Sequence, residues 1–432
     1  MAEAARTVAF FTEIIRLLLM LQKFTLLLVL LAAFQARAQT TDCPDTRATN
    51  YNPTATVNDG SCQYATTATT LTTRATLPAD IAETSALQYT SQQLWTLNDS
   101  GNSPLLYKLD PATGNITQRV RIGNFPNVDW EDLAADAQYL YIGDFGNNNG
   151  DRTDLRILRV RKADINSAAL DTVDAQAIQF SYPDQTTFTP GTNNHNFDCE
   201  ALFYANDSLH LFTKNWADRQ TKYYTVPATP GTHAARLKAS FNVNGLITAA
   251  SVNPTGTEAC LLGYNNSNGS TFLWLLSDFT GTKFFAGNKR RIELPNALQI
   301  GQAEGVTFID RYRLYLSNER ITNIITIPQR LYELNTSPWL AAPMATAASV
   351  PLESEQVFPN PARQSVTVQR AAGVAGTVEV SLQNMQGQTL LSTAIQPTQM
   401  AQTINLVPYA AGTYVLRIKS SAGAFSRKIV NQ

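Results

Sequence analysis

Charge is scarce in this chain. Only 16% of its 432 residues are Asp, Glu, Lys or Arg, against roughly 25% in ordinary soluble proteins. The 33 basic and 34 acidic side chains nearly cancel, for a net charge of −1. That balance argues against a nucleic-acid binder, which carries a basic face. Histidine is rarer still: His195, His210 and His233 are the whole set. No H-E-x-x-H occurs, so the common zinc-hydrolase motif is absent. There is no G-x-S-x-G elbow and no Walker-type phosphate loop. No long segment carries a clean 3.6-residue apolar period, which speaks against a helical fold. The chain does have apolar residues, 44% of the total. It can therefore bury a core, and wholesale disorder is excluded. Thr, Ser, Asn and Gln must supply the polar surface. The length suggests about two to three domains.

The N-terminal region reads as an export signal. Lys23 precedes the apolar run FTLLLVLLAAF (24–34), and Ala36-Arg37-Ala38 follows it. A positive charge, a short apolar stretch and an A-x-A step make a signal peptide over residues 1–38, cut between Ala38 and Gln39. The run is too short to span a bilayer, which takes about 20 apolar residues. Met20 offers an alternative start. The mature chain is expected to carry no transmembrane helix.

Four cysteines are present: Cys43, Cys62, Cys199 and Cys260. The first two bracket a stretch of turn formers within residues 39–65 that has almost no apolar content. An oxidising compartment predicts a Cys43–Cys62 disulfide to hold it. The pattern C-x-A-x-N-Y-N-P-x-A-x-x-x-D-G-S-C-x-Y also resembles a short repeat of secreted bacterial proteins that carry a type IX sorting domain. Asp42, Asp45 and Asp59 offer oxygen to calcium, but no complete ligand series is visible, and a disulfide-closed spacer is the plainer reading. Cys199 and Cys260 are expected to be buried thiols.

From residue 66 to about 340 the chain alternates short strands with Gly, Asn, Asp and Pro. One unit recurs: an acidic residue, a small-apolar strand, a polar turn, then an L-x-L strand ending in polar residues. Its copies begin at Glu83, Asp129, Asp198, Ile247 and Ala303, and the fourth lacks the acid. Leu87 to Leu133 and Leu202 to Ala249 are spaced by roughly the 40–50 residues of a four-stranded blade. The expected fold is all-β: a β-propeller of five blades, with six as the alternative, followed by a small immunoglobulin-like sandwich. A long insertion is expected between Ala163 and Asn196. The last unit lacks a fourth strand, which 70–77 can supply to close the ring. The motifs LWTxNDSG, DWEDL, LYIGDxGNN and RxDLxIxRV resemble a family of secreted bacterial β-propellers, with no secure chemistry attached.

Residues 341–352 form an uncharged Pro- and Ala-rich linker. The strands of 353–432 then resemble the type A sorting domain of the type IX secretion system. VFPNP (357–361), NMQG (384–387), AGTY (411–414) and KIV (428–430) carry the resemblance, through Pro359, Asn360, Pro361, Gly387, Gly412, Tyr414 and Lys428. Gly387 and Gly412 are expected in tight turns. The resemblance implies passage through the periplasm and an outer-membrane translocon. It also implies removal of the domain by the sorting machinery, then attachment to surface lipopolysaccharide or release.

In each hairpin, the acid opening one strand lies beside the polar end of the next. Glu83 and Asp99, Glu131 and Asp132 with Asp144, Glu200, and Glu304 with Glu319 are thereby expected on one rim. Calcium suits such carboxylates, and no other cofactor is expected. Lys214 and Arg320 are the candidates for holding an anionic group. Two functions compete. One is a cation-dependent hydrolase of a phosphoester, ester or lactone. The other is a non-catalytic propeller that binds glycan or protein, and the protein is expected to be a monomer under either reading. Strand capping by the same acids is the structural alternative to both.

Overall fold

A computed structural model describes residues 39–322, 326–340, 357–370, 376–384, 388–420 and 423–432. The signal segment with Ala38, the linker and Gly387 lie outside the described residues. The chain divides into two compact units, Met1–Leu340 and Ala341–Gln432. Strand dominates both, and no described helix is long and apolar enough to cross a membrane.

Besides a two-stranded parallel sheet of Thr41–Asp42 and Val57–Asn58, the described residues of the first unit form five sheets, each built on four antiparallel strands. Their first strands are Gln88–Thr90, Trp130–Ala135, Cys199–Ala205, Leu246–Val252 and Gln302–Phe308. Each of these touches the first strand of the next sheet, and the fifth touches the first. The first strands of sheets two to five are covered on both faces and read as near-continuous buried runs, LITAAS in sheet four, while Gln88–Thr90 of sheet one is half-buried. Fourth strands are covered less. Arg236–Phe241 is mostly exposed, and Ile116–Ile122 alternates buried and exposed positions. Consecutive sheets share apolar cores. Trp130, Leu133 and Ile142 of sheet two pack with Trp95, Leu97 and Val120 of sheet one. Asn206 and Asp207 both take positive φ, 47° and 58°, in the tight hairpin of sheet three.

Sheet five takes its fourth strand from the other end of the unit. Thr72–Thr76 pairs antiparallel with Arg330–Asn335. Three sheets gain a parallel fifth strand at the outer edge: Leu170–Val173 on sheet one, Gly231–Ala234 on sheet two, Thr67–Ala68 on sheet four. The expected insertion at 163–196 is thus resolved into parts. It holds the edge strand of sheet one and the fourth strand of sheet two, Gln176–Ser181, and then a loop that returns to residues 148–149 through Gly191, Asn193 and His195.

Cys43 and Cys62 are joined by a disulfide, while Cys199 and Cys260 are free and buried. Asp42, Asp45 and Asp59 accept local N–H groups of Cys43, Arg47 and Ser61. The segment docks on sheet four. Lys289 Nζ donates to Gly60 O at 3.0 Å, and the Arg290 guanidinium lies 4.9 Å from the Tyr64 ring centre. Gly60 has φ 76°, and a Cβ there would meet Ala286 O at 2.7 Å, so only glycine fits. Denatured protein is expected to alkylate two cysteines without reductant and four with it. Reduction should cost about 3 kcal/mol, the loop-closure value for this span.

The second unit packs two sheets, one with Ser365–Gln369 and one with Val378–Gln383 and Gly412–Ser420, around Val366, Val380, Leu382, Ile404, Leu416 and Ile418. The Phe358–Pro359 and Asn360–Pro361 bonds are cis. The Asn360 side-chain amide bridges the last strand: its Nδ2 donates to Lys428 O at 2.7 Å, and its Oδ1 accepts from Val430 N at 3.0 Å. Tyr414 donates its hydroxyl to Ala410 O. Gly412 does not sit in a tight turn. It opens a strand opposite Asn431 with no positive φ, so nothing local demands glycine there.

Candidate functional site

A recurring irregularity builds the site. In four sheets the pairing of the first two strands slips by one residue, and the slip falls at Glu131–Asp132, Glu200, Thr248 and Glu304. A bulge re-aims the side chain it carries. Two residues before Glu131 and Glu200 stand Asp129 and Asp198, and Gln302 holds that place before Glu304. The facing ends of the second strands bring Asp99, Lys214, Tyr264 and Glu319. The geometry therefore gathers acids from four sheets around one buried ammonium.

The acids feel one another. Burial pushes the Asp129 carboxyl up to about 7, with Asp99 and Asp198 adding repulsion and Arg152 opposing it. Burial, then Glu200, Asp99 and Asp129, holds Glu131 well above the carboxylate range. Burial raises Glu304 to about 7 against the pull of Lys214. Glu319 is raised by burial, then by Glu304 and Asp99, and Asp99 is raised chiefly by burial. Lys214 remains an ammonium. Burial lowers its value, but Glu200, Tyr264 and Glu304 outweigh that.

Several of these groups are already partnered. Lys214 Nζ lies 2.5 and 2.6 Å from the two Glu200 oxygens. Asp144 is fully buried between Arg152 and Arg156 at 3.2 and 2.7 Å. Asp132 accepts the backbone N–H of Leu133 at 2.8 Å, Leu202 at 2.7 Å and Ala250 at 3.4 Å. It ties the first strands of three sheets and is a structural cap. Glu304 accepts from Gln302, and exposed Glu83 accepts from Asn102. Arg320 is exposed, and its backbone N–H bonds Ala82 O. Asp198, absent from the expected set, accepts Asn147 N at 2.7 Å and the Trp216 indole N–H at 2.8 Å. Asp129 was also missed. Both open the D-x-E motif, and their fixed offset of two residues before the bulged Glu was the available signal. Asp99, Asp129 and Glu131 each place one carboxylate oxygen within 4.8 Å of the others. Hard oxygen donors so arranged suit a calcium-like cation.

One comparison is decisive for the C-terminal unit. Residues 356–432 match the secretion system C-terminal sorting domain. The sorting domain marks the chain as one exported by the type IX secretion system, to the cell surface or the medium. No curated protein matches the chain. Among solved structures, it is similar to a chain of the "Crystal Structure of Mitotic Checkpoint Complex", at 14% identity and a TM-score of 0.29. That likeness covers 58% of this chain and 63% of the other, and carries no argument.

Proposed function

We propose that the first unit is a five-bladed β-propeller whose acidic mouth binds a divalent cation, calcium by its donor set, and hydrolyses a phosphoester, ester or lactone there. The observation behind this reading is the convergence of carboxyl groups from four sheets, several of them raised by burial, around the single ammonium of Lys214. A cation among them polarises a phosphoryl or carbonyl oxygen and activates water. A carboxylate whose value lies near 7, as for Glu304, is matched to proton transfer at neutral pH. We further propose that a leader ending near Ala38 is removed, and that the mature monomer is attached to surface lipopolysaccharide or released.

A second reading is favoured by Trp216. Its half-buried ring lies 4.9 Å from the Lys214 ammonium at the same end of the strands. An aromatic face beside a polar cleft also suits a non-catalytic glycan binder. A panel of p-nitrophenyl phosphate, p-nitrophenyl acetate and a simple lactone separates the two. With calcium the hydrolase reading predicts turnover of one class, and chelator should remove at least about tenfold of it. No turnover of any class with calcium, together with retention on a glycan array, would establish the binder instead.

A further inference from the structure

We infer that the cation sits between Asp99, Asp129 and Glu131, and not among the other acids of the mouth. This rests on the reading that the mouth holds a cation. The three come from two sheets: Asp99 ends the second strand region of sheet one, while Asp129 and Glu131 open sheet two. Their oxygens converge within 4.8 Å.

Glu131 supplies the second observation. It is only 5% exposed, and no described residue gives its carboxyl a hydrogen bond or an ion pair, while its oxygens still reach the solvent of the mouth. A buried carboxylate without a partner is costly and needs compensation. The other deeply buried acids have theirs. Asp132 has three amide N–H groups, Glu200 has Lys214, and Asp144 has two arginines. Glu131 has only its place beside Asp99 and Asp129, and a cation there neutralises all three.

Gly146 fits the same assignment. A Cβ at this position would crowd Glu131 Oε1 and lie 2.5 Å from Asp129 Oδ2. Glycine therefore lets the backbone close over the two carboxylates without displacing them. Gly146 N donates to Asp129 O, which fixes the loop there. Carboxylate-only protein donors with room for further oxygens favour calcium over softer metals. The remaining coordination positions fall to water or to oxygens of the ligand.

Calcium titration by calorimetry on the full chain tests this, with Asp129→Asn, Glu131→Gln and Glu304→Gln. The wild type should bind calcium. D129N and E131Q should each bind it about tenfold or more weakly, since ligand charge sets calcium affinity. E304Q should bind within about threefold of wild type, because it lies outside the trio. Melting of the calcium-free proteins provides a readout independent of binding. E131Q replaces an acid crowded by Asp99 and Asp129 with an amide, so without calcium it should melt no lower than the wild type. Calcium binding lost in E304Q but kept in D129N and E131Q would overturn the trio and leave the cation reading standing. A wild type that binds no calcium would overturn both.

Discussion

Asp132→Ala is expected to destabilise the first unit by about 3–5 kcal/mol. The carboxylate is fully buried and accepts three backbone N–H groups, from its own strand and from the first strands of sheets three and four. Alanine leaves those donors without a partner, at about 1–3 kcal/mol each. The closest approaches, to Leu202 at 2.7 Å and Leu133 at 2.8 Å, carry most of the effect. For a domain of this size each kcal/mol shifts the melting temperature by about 2–4 °C, so the loss should be on the order of 10 °C. Asp132→Asn keeps an acceptor oxygen and should cost about half as much or less. Burial holds the Asp132 carboxyl well above its ordinary range, so the neutral amide is a fair mimic of its charge. Thermal unfolding of the two variants checks this. An alanine variant melting with the wild type would show that the cap does not bear on stability.

The strands were legible because their burial is simple. Inner strands are covered on both faces and read as short apolar runs bounded by turn residues. WEDLAA and LITAASV are examples, followed by the apolar partner strands YLYIGD and EACLLGYN. Outer strands were harder for the opposite reason. Arg236–Phe241 buries little, so selection for apolar pattern is weak there. The 163–196 stretch looked like an insertion because two of its segments pair with different sheets. Pairing between sheets leaves no local period to read. The disulfide was legible from the turn-rich filling between the two cysteines together with the oxidising compartment an export signal implies, and Cys43 is joined to Cys62.

The site was legible in kind but not in detail. Acids at the opening of each first strand do meet polar ends of the second strands, as with Glu200 and Lys214. What the sequence hides is which acid is spent on the fold. Asp132 and Glu131 are neighbours of the same type, yet one caps three strands and the other has no partner. Alternation at a bulge sends them in different directions, and no composition signal marks that. Asp129 and Asp198 stand outside the strands whose pattern the sequence displays, just before Trp130–Ala135 and Cys199–Ala205. Their roles depend on contacts with Asp99 and Trp216, far away in sequence.

Export gives the most direct test of the division of labour between the two units. The tail carries its own core around Val380 and Leu416, separate from the cores of the first unit. Its match to the sorting domain covers residues 356–432 and nothing of the first unit. Units with separate cores fold separately. Removing 357–432 should therefore leave the first unit folded, with Cys43 joined to Cys62, while its address is gone. The measurement is cell fractionation of full-length and truncated protein produced in the native host, with protease resistance and disulfide state as checks of folding. The account predicts full-length protein at the surface or in the medium, and truncated protein folded but held in the periplasm. Truncated protein reaching the surface or the medium as efficiently as full-length protein would contradict it.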